Sequence, residues 1–330
     1  MRFVTQYPGH AWWNIAVTLI SEMVATYLGT GPLRRPEYGA VAGSRFIAAT
    51  PDGVIGALNN LIEVADRAAD VGMTTPTAAA VMAYRGTGPF TRPHPQLRAV
   101  ASYPHDDYLV FLADSRFGTS SLREFLHIDQ PVTVVTGRRG VDGTEDVVTY
   151  VVHEVLRRHG AGFADIDARA GSSVVFGGNA AAGGQLLLRG EGDAQFHEAQ
   201  AHPVWRTVVA SRPMTVLYPD SQVLVDIAGA LGLTCRDIPA GHQVGNESPV
   251  PTLDFSGWLL FVHEDMPDDH AYALALACDR TRAAVEQLVP DRSISKPIDP
   301  HYMFTEVGIP LHPGAARYAE AQRYAGATQR

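Results

Sequence analysis

The stretch HEAQAH, residues 197–202, brings three ionisable side chains together within six positions. A zinc-binding helix uses the spacing HExxH, and this stretch has one residue too many between its histidines, so the metal pattern does not fit. A histidine beside a carboxylate can instead act as a general acid or base near neutral pH. His197 with Glu198 is therefore the candidate catalytic pair if the protein is an enzyme. The alternatives are that these side chains bind the polar group of a ligand, as we also expect of His202, or that they lie on the surface.

A second candidate site is the segment VVTGRRGVDGTEDVVTYVVHEVLRRHG, which reads as a strand, a glycine-rich turn and a helix. We predict that Thr144 caps this helix, and that the helix N-terminus binds a carboxylate with Arg138 as a bidentate clamp. Arg139 is the alternative clamp or a solvated side chain. The turn lacks both the GxGxxG spacing of a dinucleotide site and the GK[ST] of a phosphate loop. We predict no cofactor.

Two further turns place ligand-binding side chain types between a strand and a helix. In PGHAWWNIA, His10, Trp12 and Trp13 stand at a helix start, where backbone N–H groups and flat apolar walls suit a carboxylate. We expect one of these tryptophans to line a binding site and the other to lie in the core, since large aromatic side chains are seldom fully buried. In VGMTTPTAA, Thr74 and Thr75 can cap the following helix or bind a ligand oxygen.

Short β-branched runs alternate with helical patterns along the whole chain, which predicts an α/β protein with mainly parallel sheets covered by helices. Such sheets place ligands at the carboxyl ends of their strands. The predicted strands are RFVTQY, RFIAAT, AADVGMTT, LRAVASY, YLVFLAD, PVTVVTG, SSVVFGG, MTVLYP and GWLLFVHE, and the predicted helices are 13–28, 54–68, 76–84, 144–159, 180–190, 220–231 and 267–288. We detect no internal sequence repeat.

Composition excludes several classes of protein. The 330 residues carry a formal charge of −9 with scattered basic residues, so we predict no nucleic-acid partner. The apolar stretch from Ile15 to Leu28 is interrupted by polar residues, and we predict an amphipathic helix there and no insertion into a membrane. The N-terminal sequence lacks the pattern of a signal peptide, which favours a cytoplasmic location. Cys235 and Cys278 lie in no ligand spacing and read as free thiols.

Several segments, taken in order, resemble the TAXI-type solute-binding proteins of TRAP transporters, which are NMT1-like proteins. The segments are ALNNLIEVADRAADVGMTTPTAAAVMAYRGTGPF, LRAVASYPHDDYLVFLADS, GEGDAQF, IPAGHQVGNESPVPTLDF, MPDDHAYALALA and LHPGAARYAEA. The resemblance implies a two-lobed type II periplasmic-binding-protein fold with a double hinge, which closes on a small organic acid and serves a TRAP-type membrane permease. On this basis residues 1–108 and 257–330 form lobe 1, and residues 109–256 form lobe 2. The resemblance also makes His312 a structural residue at the start of the last helix.

The chain departs from that family in two respects. Family members are exported, and the ionisable stretch HEAQAH replaces small or neutral residues. The leading expectation is therefore a protein that binds a small organic acid. The alternatives are an intracellular enzyme on the same fold, such as an aromatic-acid decarboxylase of the 4,5-dihydroxyphthalate type, and a cytosolic ligand sensor that acts on a protein partner.

Overall fold

The computed structural model describes residues 1–8, 10–28, 35–50, 56–198, 203–288 and 297–323. Contacts within the chain define two compact units. Unit 1 comprises Met1–Gly86, Phe90–His105 and Ser256–Arg330, and unit 2 comprises Thr87–Pro89 and Asp106–Phe255. No helix within the described ranges has both the length and the apolar character that crossing a bilayer requires.

Unit 1 contains a five-stranded sheet in the order β2-β1-β3-β12-β4. Its strands are β1 (Arg2–Val4), β2 (Ile47–Ala49), β3 (Val71–Thr74), β4 (Leu97–Tyr103) and β12 (Trp258–His263). The pairs β1/β2 and β1/β3 are parallel, and β12 runs antiparallel to both β3 and β4. Four strands therefore share one direction, and their carboxyl ends meet at one edge of the sheet.

The helices of unit 1 cover this sheet. They are α1 (Ala11–Leu28), α2 (Gly56–Ala65), α3 (Thr77–Arg85), α10 (Asp268–Arg280), α11 (Arg282–Leu288), α12 (Pro300–Met303) and α13 (Pro313–Ala321). Helix α1 buries Ile15, Leu19 and Met23, which recur at the spacing of one helix face, in a core shared with Leu260 of β12 and Leu274 of α10. Apolar burial on one face thus fixes α1 with its first turn beside the end of β1.

Unit 2 contains a second five-stranded sheet, in the order β7-β6-β8-β5-β9, and a separate antiparallel pair, β10 with β11. The strands are β5 (Val110–Asp114), β6 (Thr133–Thr136), β7 (Ser173–Phe176), β8 (Ala194–His197), β9 (Met214–Val216), β10 (Cys235–Ile238) and β11 (Val250–Leu253). The helices are α4 (Leu122–Phe125), α5 (Val147–Arg158), α6 (Phe163–Asp167), α7 (Ala180–Leu188), α8 (Val204–Ser211) and α9 (Ser221–Leu231). Strand β5 runs antiparallel to its neighbours β8 and β9, whereas β6 runs parallel to β7 and β8.

The two sheets have the same topology. In each unit the second parallel strand lies at the edge, followed by the first, the third, one antiparallel strand and the fourth. This repeat was not detected in the sequence. In such sheets the strand order reverses between the first and third strands, and ligands bind outside the carboxyl ends at that point. The corresponding positions are the ends of β1 and β3 in unit 1, and of β6 and β8 in unit 2.

The predicted fold class is confirmed, because two mainly parallel sheets are covered by helices as the alternating pattern indicated. All nine predicted strands are present in the structure. Three further strands, β8, β10 and β11, were not predicted. Strand β8 reads AQFH and has no β-branched residue, so it lacks the signal on which the prediction relied.

Candidate functional site

The loop after β6 folds back on itself as a tight hairpin between Arg138 and Asp146. The amide of Asp146 donates to the carbonyl of Arg138 at 3.1 Å, and the amide of Gly140 donates to the carbonyl of Thr144 at 2.7 Å. Gly137 allows the first turn of α5 to approach, since a Cβ at this position would lie 2.5 Å from Thr149 Oγ1 and 3.0 Å from Asp146 Oδ1. The hairpin therefore holds Arg138 directly beside the start of α5.

The prediction that Thr144 caps α5 is wrong, because the N-cap is Asp146. The amide of Thr149 donates to Asp146 Oδ1 at 2.8 Å, and the amide of Arg138 donates to Oδ2 at 3.1 Å. Burial raises the pKa of Asp146, although hydrogen bonds from Thr149 act in the opposite direction. The helix N-terminus expected to bind a ligand carboxylate is thus already occupied by a carboxylate of the chain, and Thr144 lies two residues before it.

His197, the last residue of β8, is 3% exposed and has an acceptor for each ring nitrogen. Its Nε2 lies 3.1 Å from the carbonyl oxygen of Gly178, and its Nδ1 lies 3.0 Å from the carbonyl oxygen of Glu198. The carboxylate oxygen Oε2 of Glu198 is also only 3.2 Å from Nδ1. A carbonyl oxygen can only accept, so both nitrogens are placed to donate and the ring is held as an imidazolium.

The electrostatic environment agrees with that protonation state. Burial would by itself lower the pKa of His197, but the carboxylates of Glu198 and Asp146 outweigh it and raise the pKa to about 9. Burial acts to raise the pKa of Glu198, yet the positive charges of His197 and Arg138 bring it below its ordinary value. At neutral pH the pair is therefore an imidazolium and a carboxylate, so His197 is not available as a general base.

Gly178, which follows β7, lies between His197 and Arg138. Its carbonyl accepts from His197, and a Cβ at Gly178 would lie 3.8 Å from Arg138 Nε. Thr136 Oγ1 donates to the carbonyl of Phe196 at 2.9 Å and ties the end of β6 to β8. Arg138, Asp146, His197 and Glu198, which we call the charged cluster, therefore meet at the β6/β8 switch point.

Among the described residues, the corresponding strand ends in unit 1 present an imidazole ring, tryptophans and hydroxyl groups. His10 Nδ1 accepts the amide N–H of Trp12 at 3.2 Å, so this ring caps the first turn of α1. Trp12 is 3% exposed and belongs to the core, which leaves it little surface to offer a ligand, whereas Trp13 is partly exposed. The role of Trp13 in ligand binding stays a prediction.

Thr74 and Thr75 occupy different environments at the end of β3. Thr74 is fully buried, and its hydroxyl has no hydrogen-bond partner among the described residues, so its role in ligand binding stays a prediction. Thr75 is partly exposed. Neither caps α3, whose N-cap is Pro76, and no side chain provides the capping hydrogen bond. The start of α3 thus differs from that of α5, which carries its own carboxylate.

His202 and Gly9 lie outside the described residues. Within the described part of the chain, no three His, Cys, Asp or Glu side chains come together as metal ligands. His312 has the structural role that was expected of it, because its Nδ1 accepts the amide N–H of Gly314 at 3.2 Å and caps α13 while its side chain is fully buried.

A second polar group, formed by Glu145, His153 and Arg139, lies beside the charged cluster and was not predicted from the sequence. His153 Nδ1 lies 3.1 and 3.2 Å from the two carboxylate oxygens of Glu145, and Arg139 Nε lies 3.8 Å from the same carboxylate. The ring of His153 stacks on Phe163 at 4.6 Å. Glu145 and His153 are eight residues apart, and only the hairpin that precedes α5 brings them together, so no simple spacing rule identifies the pair. These contacts fasten the hairpin to α5 and α6.

Solved structures share this fold, and one of those that match is a binding protein of a transporter. A Xanthomonas citri protein, XAC2383, matches in its chloride-bound form at a TM-score of 0.52 and 11% identity, over 98% of each chain. Its ATP-bound form matches at a TM-score of 0.53 and 10% identity, again over 98% of each chain. A binding protein component of an ABC phosphonate transporter from Pseudomonas aeruginosa matches at a TM-score of 0.50 and 9% identity, over 90% of this chain and 80% of that one. These likenesses identify the fold as that of periplasmic binding proteins.

The sequence assigns the family. The model of the NMT1-like family matches residues 44–321, and the chain therefore belongs to that family. No curated protein sequence matched the chain.

Proposed function

We propose that this chain is a solute-binding protein that recognises a small organic acid through its carboxylate. Arg138 carries this proposal. It stands at the β6/β8 switch point, where sheets of this kind place their ligands, and its guanidinium has five N–H donors in a planar fork that suits a carboxylate. The TAXI-type resemblance of the sequence supports the same solute class, with a TRAP-type permease as the partner that receives the solute.

The start of α3 is the second group that we assign to recognition. Asp146 occupies the N-terminus of α5, and Asn179 caps α7 by accepting the amide N–H of Ala182 at 2.9 Å. Helix α3 follows β3 at the switch point of unit 1 and has no capping side chain, but the amide of its first residue, Thr77, already donates to the carbonyl of Ser256 at 3.2 Å. We therefore assign recognition at this end to the partly exposed side chain of Thr75, whose hydroxyl can donate to a ligand oxygen. Recognition by donors of this kind needs no catalytic step.

The enzyme alternative, a decarboxylase, depends on His197 and Glu198 as an acid-base pair. The geometry does not favour it, because both nitrogens of His197 donate to oxygen atoms of the protein and its pKa of about 9 keeps it protonated at neutral pH. A base must be unprotonated and within reach of the substrate proton. Incubation with each bound acid, followed by mass spectrometry, tests turnover directly, and we expect the acid to be recovered intact.

The proposal is tested by calorimetry after a thermal-shift screen of small organic acids. We expect Arg138→Ala to weaken binding of the best acid at least tenfold, and Arg138→Lys to recover part of the loss, since an ammonium keeps the charge but not the fork. Arg189→Ala is the matched control, because Arg189 is about half exposed and its partner is Glu191, outside the charged cluster. Equal affinity of Arg138→Ala and the parent protein would refute the assigned role.

A further inference from the structure

We propose that Glu198 is a selectivity residue that restricts this site to acids with a single negative charge. The inference rests on the proposed function, because it concerns which organic acids the same strand-end site admits. It follows from the number and sign of the charges that the chain places there.

Every cation of the strand ends in unit 2 already has a carboxylate beside it, as far as the described residues show. His197 faces Glu198 at 3.2 Å, and the positive charge of Arg138 also acts on Glu198 and helps to lower the pKa of that carboxyl. In the neighbouring group, Arg139 faces Glu145 at 3.8 Å. The charged cluster therefore combines two cationic side chains with two carboxyl groups, and Asn179 at the start of α7 adds no charge.

One carboxylate of a solute can still bind, because the guanidinium of Arg138 has more N–H donors than one partner uses. Among the described residues of these strand ends, a second anionic group would meet no cation that lacks a carboxylate beside it, and it would lie near Glu198. That carboxylate cannot easily neutralise itself, because the imidazolium of His197 and the guanidinium of Arg138 hold its pKa below its ordinary value. Repulsion between like charges in a partly buried site is much less screened by salt than on the surface.

His197 fixes Glu198 in this role. The ring is 3% exposed and is anchored to Gly178 on one side and to Glu198 on the other, so the carboxylate cannot swing away without breaking a buried contact. The side chain of Glu198 keeps 17% of its surface exposed, so the chain does not fully enclose it. The arrangement thus holds a permanent negative charge at a fixed place.

The experiment compares acids of the same length that differ by one charge. Malonate, succinate, glutarate and adipate are each paired with their monoamide, in which a neutral amide replaces one carboxylate. Calorimetry on the full chain should show that the parent protein binds the monoamide of the best pair at least tenfold more tightly than the diacid. Glu198→Gln, which keeps the shape and removes the charge, should reduce that preference at least fivefold.

The matched control is Glu191→Gln, which removes the same charge from unit 2 at a residue that pairs with Arg189 and whose side chain is 54% exposed. It should leave the preference of the parent protein unchanged. A diacid that binds the parent as tightly as its monoamide overturns the proposal, whether or not Glu198→Gln folds, and leaves the proposed function standing. An unchanged preference in folded Glu198→Gln also overturns it. If no mono- or dicarboxylate binds the parent, the proposed function fails and this inference fails with it.

Discussion

His197 is expected to titrate far above the ordinary range of histidine, and removing it should change how stability depends on pH. Its pKa is raised from 6.5 to about 9 in the folded chain by the carboxylates that surround it. One pKa unit corresponds to about 1.4 kcal/mol, so the protonated ring contributes about 3 kcal/mol to the free energy of unfolding. Because His197 is 3% exposed, screening by solvent reduces this figure little.

The raised pKa of His197 determines how its contribution to stability changes with pH. A group whose pKa is higher in the folded than in the unfolded chain contributes its full stabilisation below the unfolded value, about pH 6.5. The contribution is lost as the pH rises through about 9, where the folded protein also releases the proton. His197→Gln should therefore be less stable than the parent at pH 6, and the difference should shrink by pH 10.

Two measurements check this. Proton NMR of the histidine rings, with the His197 signal assigned from its loss in His197→Gln, gives the pKa in the folded chain. Urea unfolding of both proteins at pH 6 and pH 10 gives the difference in stability, in which the titration of all other groups largely cancels. Fluorescence of Trp205, the single tryptophan of unit 2, reports on the relevant unit. A His197 pKa near 6.5, or a stability difference that does not change with pH, would refute the reasoning.

Three further substitutions test the local structure. Asp146→Ala should lower stability by about 1 kcal/mol or more through loss of the α5 cap, as measured by thermal unfolding. Asp146→Asn should recover only part of the loss, because its NH2 group replaces one of the two oxygens that accept from the amides of Thr149 and Arg138. Equal losses would contradict capping. Gly314→Ala should lower the free energy of unfolding by about 1–3 kcal/mol, because the added Cβ would lie 2.0 Å from the carbonyl oxygen of Asp268. The control is Gly229→Ala, which should stabilise α9 because nothing lies within 4 Å of its added Cβ. A Gly314→Ala variant as stable as the parent would refute the clash. His312→Ala should lose the cap of α13 and cost about 1 kcal/mol, and His312→Asn should restore part of it; no difference between the two in urea unfolding would argue against the cap.

Hydrophobic periodicity was sufficient to predict most of the fold. The runs TVVT and VFLAD form central strands because β-branched and aromatic residues suit a sheet that is covered by helices. The family resemblance placed His312 at a helix start, and Pro313 fits the first helical turn there. These signals are local, and in each case the packing of the folded chain favours the same structure.

The contacts within the candidate site could not be predicted from the sequence. Thr144 and Asp146 are both good capping residues, and only the hairpin that pairs Arg138 with Asp146 decides between them. The protonation of His197 likewise depends on Gly178, which lies 19 positions earlier in the chain. Such contacts join residues that are distant in sequence, so neither periodicity nor motif spacing reveals them.

The shared strand order of the two units carries different chemistry at equivalent positions. The described residues that follow β1 and β3 include Thr75 and the capping His10, and burial lowers the pKa of His105, after β4, to about 3, so that this ring is neutral. Among the described residues of these switch points, the charged side chains lie at the ends of β6 and β8. Binding that depends on Thr75 should therefore respond little to salt, whereas binding that depends on Arg138 should weaken as ionic strength rises. The same topology thus carries uncharged hydrogen-bonding groups at these described positions of unit 1 and a charged cluster at the equivalent positions of unit 2.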